Sequence, residues 1–62
     1  MIPPSVIRKL DRIQEMVEQE TYKAEPRTLQ LAIESINSYF PLLDDADQSY
    51  IEQAYWLASK YQ

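Results

Sequence analysis

Apolar residues recur at helical spacing in three stretches of the chain, and prolines separate these stretches. The first stretch runs from about Ser5 to Tyr22, and Ser5 is predicted as its N-cap because a serine hydroxyl can accept a bond from a free backbone N–H. Its apolar positions are three or four residues apart, as on one face of an α-helix, at Val6, Leu10, Ile13 and Val17, with Ile7 and Met16 on the flanks.

The second and third stretches repeat this pattern. Over about residues 26–39 the apolar positions are Leu29, Ile33, Ile36 and Phe40. Over about residues 45–61 they are Tyr50, Ile51, Ala54, Leu57, Ala58 and Tyr61. Pro26 suits the first turn of a helix, where its missing N–H costs nothing, and Pro41 ends the second helix at or before Phe40. Asp44 or Asp45 is predicted to cap the third helix.

These patterns predict an all-α fold in which residues 1–62 form a single small helical domain. We expect helices over about residues 5–22, 26–39 and 45–61. The intervening segments are short, which favours antiparallel neighbours, and the absence of glycine disfavours tight β-hairpins. Two arrangements fit the pattern: a three-helix bundle, or a hairpin of the last two helices with the first helix docked on another chain.

The composition argues against several kinds of chemistry. The chain has no Cys and no His, which are the usual ligands of structural zinc, and no Gly for a phosphate-binding loop. The acidic run at Asp44, Asp45 and Asp47 lacks the sixth-position Gly and twelfth-position Glu of a calcium loop. We also expect no concave pocket of ligand size in so short a chain. An enzyme, a metal site and a cofactor site are therefore not expected.

Charge and hydropathy narrow the expected partners. Ten acidic and six basic side chains give a net charge of −4. This charge disfavours binding to nucleic-acid phosphates and to anionic membranes. No apolar run approaches the roughly 20 residues of a membrane-spanning helix. The opening residues Met1–Pro4 lack the basic and apolar regions of a signal peptide. The sequence thus predicts a cytoplasmic protein without nucleic-acid or membrane partners.

Two large apolar residues fall outside the predicted core stripes. Trp56 lies nearly opposite Ala54 on the third helix, and Leu31 lies nearly opposite Leu29 on the second. Trp is enriched at protein-binding hot spots, which makes Trp56, its neighbour Tyr55, and Leu31 candidate partner contacts. Scattered apolar surface residues are also normal in monomeric proteins, and a different helix rotation would let Trp56 cover an edge of the bundle.

Basic residues cluster on the outer face of the first helix, at Arg8, Lys9 and Arg12. One interpretation makes Arg8 and Arg12 the polar rim of a contact with an acidic partner. The other is a solvated face with local ion pairs to Asp11 and Glu15, each worth about 0.2–0.5 kcal/mol.

The function predicted from these features is non-enzymatic binding to a larger protein, as a small adaptor, inhibitor or regulator. The anchors would be Trp56, Tyr55 and Leu31, with Arg8 and Arg12 at the rim. The alternative is a structural homo-oligomer such as a homodimer, because a core this small rarely supplies more than about 3–5 kcal/mol on its own.

The second half of the chain also resembles the N-terminal helices of the RelA/SpoT-type alarmone synthetase/hydrolase family. The resemblance rests on Ile36-Asn37-Ser38-Tyr39-Phe40-Pro41, Asp45, Ile51 and Ala54-Tyr55-Trp56-Leu57-Ala58. In that family a helix of the form I-x-x-A-Y-x-x-A precedes a His and a Gly-Gln pair, and this chain has another residue at the His position. The resemblance implies an accessory helical segment of an enzyme. The family's metal- and nucleotide-binding positions would lie beyond Gln62, so no catalytic residue is carried over.

Overall fold

The chain forms three α-helices joined by two short 3-10 helices, and it contains no strand. In this computed structural model all 62 residues are described. Helix α1 spans Pro4–Glu18, α2 spans Pro26–Ser35 and α3 spans Asp45–Lys60. The 3-10 helices are Thr21–Lys23, between α1 and α2, and Asn37–Leu42, between α2 and α3. The all-α prediction is thereby confirmed.

The two ends of α1 differ from the prediction. Pro4, not Ser5, opens the helix, since Pro3 is the extended N-cap residue and Pro4 occupies the first helical turn, where no N–H is needed. At the other end α1 stops at Glu18, and Glu20 adopts a left-handed conformation with φ of 57°. A continued helix would have placed Tyr22 on the side opposite Ile13, nine residues earlier. The left-handed residue instead redirects the chain, and Tyr22 is buried.

Helix α2 ends at Ser35, four residues before the predicted end. The chain continues as the tighter 3-10 helix Asn37–Leu42, which contains Pro41. The side-chain amide of Gln48 donates to the backbone oxygens of Phe40 and Leu43, at 3.0 and 3.1 Å. The Phe40 carbonyl also accepts the backbone N–H of Leu43 at 3.1 Å, so the Gln48 amide adds a second bond there and supplies a donor to the Leu43 carbonyl.

The start of α3 confirms the predicted cap. Oδ1 of Asp44 accepts a hydrogen bond from the backbone N–H of Asp47 at 2.8 Å. Asp45 and Asp47 lie in the first turn and Lys60 in the last, as the helix dipole favours.

Contacts between the helices define an up-down-up three-helix bundle. Gln30 of α2 bonds to Tyr55 of α3 and to Gln62 just after it, whereas Phe40 bonds to Gln48, so α2 and α3 are antiparallel. Helix α1 runs parallel to α3: the Tyr50 hydroxyl donates to the Gln14 carbonyl at 3.4 Å, and the rings of Tyr22 and Tyr61 pack edge-on with centroids 5.4 Å apart. The first helix thus docks on its own chain.

The core lies along the axis between the three helices and contains no charged side chain. Its 12 buried residues are Val6, Ile13, Met16, Tyr22, Leu29, Ala32, Ile33, Ile36, Leu43, Ile51, Ala54 and Ala58. Ile13 and Leu29 are its largest fully enclosed side chains. Tyr61, expected on the buried stripe, is 39% exposed because it packs at the open end of the bundle against Tyr22.

Candidate functional site

Helices α2 and α3 carry three exposed large side chains that the sequence marked as candidate contacts. Trp56 is 60% exposed, Leu31 49% and Tyr55 40%. Gln30 bonds across the helices to Tyr55, so its neighbour Leu31 and the neighbouring Trp56 lie at nearly the same level of the pair. Both residues lie opposite the buried stripes of their helices. Tyr55 lines the space between the two helices, whereas Leu31 and Trp56 each lie on the outward face of their own helix.

Trp56 is supported only by a neighbour on its own helix. The Lys60 ammonium lies 5.1 Å from the centre of the Trp56 ring, one turn away, and 5.8 Å from that of Tyr61. Such a cation–π contact contributes about 0.5–1 kcal/mol at an exposed site. Trp56 is 60% exposed and is not part of the core cluster, so it can cover a bundle edge only in part.

A groove that Tyr55 lines, but Trp56 and Leu31 do not, was not predicted from the sequence. It is open, has a volume of about 570 Å³, and lies between α2, α3 and the second 3-10 helix. Its lining residues are Ile33, Glu34, Asn37, Phe40, Ile51, Glu52 and Tyr55. The expectation of no concavity of ligand size is thus wrong, because two antiparallel helices and the turn that joins them enclose a space that neither helix pattern reveals alone.

The groove has an apolar base and one acidic residue on each side. Ile33 and Ile51 are each only 5% exposed and form its base. Glu34 on α2 and Glu52 on α3 are exposed, and neither forms an ion pair, since the one salt bridge in the molecule joins Lys23 to Glu20. Such a surface can accept an apolar side chain and attract cations beside it.

Arg8 and Arg12 lie on another helix and at another level of the bundle than Trp56. Both are exposed on α1, and the alignment of Gln14 with Tyr50 puts them level with the start of α3. At 1.5 Å per residue, Trp56 is roughly 12 Å or more farther along the bundle. A partner centred on Trp56 would have to extend over this distance to reach them, and the predicted rim role stays a prediction. The alternative local ion pairs with Asp11 and Glu15 are absent.

Two titratable groups have a shifted pKa. Burial raises the pKa of the Tyr50 phenol, and the nearby Glu18 carboxylate raises it further. The hydrogen bond and charge of Glu20 raise the pKa of Lys23. Neither group lines the groove. No group of three or more acidic, Cys or His residues is placed to hold a metal ion. None of the helices has both the length and the apolar character needed to cross a membrane.

Searches among known proteins found no match: no family model, no curated protein and no solved structure is similar to this chain. The residues behind the alarmone-family resemblance lie mainly in the α2–α3 turn and on α3. That resemblance stays a prediction.

Proposed function

We propose that this protein is a non-enzymatic interaction module that binds a larger protein through the outer side of its α2–α3 pair. Trp56 is the central contact, and Tyr55 and Leu31 are its neighbours. The observation that carries the proposal is the exposure of Trp56, which is the only Trp in the chain and is 60% accessible on an otherwise polar helix face.

Burying the exposed part of the Trp56 ring would be energetically favourable. A Trp side chain can bury up to about 250 Å², so covering the accessible part of Trp56 would contribute roughly 2–4 kcal/mol at about 25 cal/mol per Å². The fold does not use this energy, because the core closes without the side chain. A partner that covers Trp56 together with Tyr55 and Leu31 would gain the part of it that remains after the cost of association.

Site-specific photocrosslinking in cells tests the proposal. A photoreactive phenylalanine analogue replaces Trp56 in one strain and Asp11, which is exposed on the outer face of α1, in a control strain. We expect an adduct with a heavier protein at position 56 and none at position 11. Equal adducts at both positions, or none at position 56, would refute the proposed surface.

A homo-oligomer is the second candidate function. It is favoured by the small core of 12 residues beside several exposed large apolar side chains. In the same experiment, self-association would yield an adduct with the mass of two chains. Sedimentation over a wide concentration range would then show a dimer, and its helicity would fall on dilution if folding is coupled to association.

A further inference from the structure

The groove between α2 and α3 indicates the chemistry of the partner. We propose that it receives an apolar side chain of the partner that is flanked on both sides by Lys or Arg. This inference rests on the proposed function, since it assigns the partner segment that docks beside Trp56.

The base of the groove requires an apolar group. Ile33 from α2 and Ile51 from α3 form its base, and the half-buried ring of Phe40 closes one end. Toward the other end, the Gln30 amide donates to the Tyr55 hydroxyl at 3.2 Å and bridges the two helices. The space of about 570 Å³ between these limits is open to solvent and suits one or two large aliphatic or aromatic side chains.

The acidic residues on the two sides of the groove require cations in the partner segment. Glu34 on α2 and Glu52 on α3 lie on opposite sides of the groove, and each is exposed without an ion pair. A partner that covers these carboxylates removes water from them, which is unfavourable unless a positive group replaces it. The two carboxylates come from different helices, so the occupant needs a cation on each side of its apolar residue. The net charge of −4 favours the same class of segment at long range.

The walls of the groove are already held in place. Gln48 fixes the turn around Phe40 through the carbonyls of Phe40 and Leu43. The remaining lining residues lie on helices or in this turn. Binding therefore orders little of the protein, and a short segment with one apolar anchor can bind without a large folding cost.

Fluorescence anisotropy of dye-labelled synthetic peptides tests this inference. The probe is a short peptide with a central Leu between Lys residues, and the matched probes replace Leu by Ala or both Lys by Glu. We expect binding of the first probe only, weakening as salt rises. The double variant Glu34→Gln/Glu52→Gln should lower its affinity about tenfold, since two exposed charge pairs are lost.

The control variant is Asp11→Asn/Glu15→Gln, which makes the same change in net charge on the exposed outer face of α1. It should change the affinity less than about twofold. Equal effects of the two double variants would mean attraction by net charge alone and would overturn the inference. Binding of the Ala or Glu probes as tight as that of the Leu–Lys probe, or no binding of any probe, would also overturn it.

The two proposals can fail separately. If position 56 still crosslinks to a partner while the groove variant and the peptides show no specific effect, only the basic-anchor inference is lost. If position 56 gives no specific adduct, the interaction surface itself is wrong.

Discussion

Helices α1 and α3 are close in length and each buries one apolar stripe, but their outer faces differ. The outer face of α1 carries mainly charged residues, with Arg8, Asp11, Arg12 and Glu15 all exposed. The corresponding face of α3 has Trp56 at its centre. Since α1 shows that a charged outer face is sufficient for a helix of this bundle, folding alone does not account for Trp56. The difference between the helices is what suggests a binding role for α3.

The largest expected effect is the difference in the free energy of unfolding between a substitution in the core and one on the surface. Ile13→Ala removes a fully buried side chain and should cost about 2–5 kcal/mol, which is comparable to the whole stability of a domain this small. Trp56→Ala removes a larger side chain but should cost at most about 1 kcal/mol, because it loses mainly the contact with Lys60.

Urea unfolding followed by circular dichroism measures both effects. Ile7→Ala is the matched control on α1, since Ile7 is 51% exposed, and it should behave like Trp56→Ala. A loss of several kcal/mol in the Trp56 variant would show that the ring supports the fold and would break the contrast between the outer faces.

A smaller loss of stability is expected from substitutions at the start of α3, which differs from the start of α1. Helix α3 is capped by the Asp44 side chain, whereas α1 has no side-chain cap at Pro3. Asp44→Ala should therefore lower the free energy of unfolding by about 1 kcal/mol. Asp45→Ala keeps the cap and should cost only about 0.3–0.5 kcal/mol through the helix dipole. Equal losses in urea unfolding would mean that charge, rather than the cap bond, fixes the start of α3.

The smallest effect concerns the contact between α1 and α3 through Tyr50. Burial raises the pKa of this phenol in the folded chain, so the unfolded chain loses the proton first. Tyr50 therefore contributes stability that is complete below the unfolded pKa of about 10 and is lost as pH rises through the folded value. Unfolding measured from pH 8 to 11 should show a shallower alkaline decline for Tyr50→Phe than for the unsubstituted chain. Parallel curves would exclude Tyr50 as the source.

The sequence predicted most features that a single helix decides, although the first residue of α1 and the last of α2 differ from the prediction. The apolar stripes, the Pro26 start and the Asp44 cap depend on neighbours within one or two turns, and the structure contains them. The exposure of Trp56 and Leu31 followed from the same periodicity. Features that join different elements were not predicted. The turn at Glu20 depends on Tyr22 reaching the core, and the groove depends on two helices facing each other.

The prolines of this chain have a further consequence, in its denatured state. Four Pro and no Gly occur among the 62 residues, and Pro4 and Pro26 already have the φ angle that the first turns of α1 and α2 require. Each Pro at a compatible position narrows the denatured ensemble and stabilises a fold by about 0.4–1 kcal/mol. Part of the stability of this domain thus arises before any contact forms, from a backbone with fewer conformations to lose.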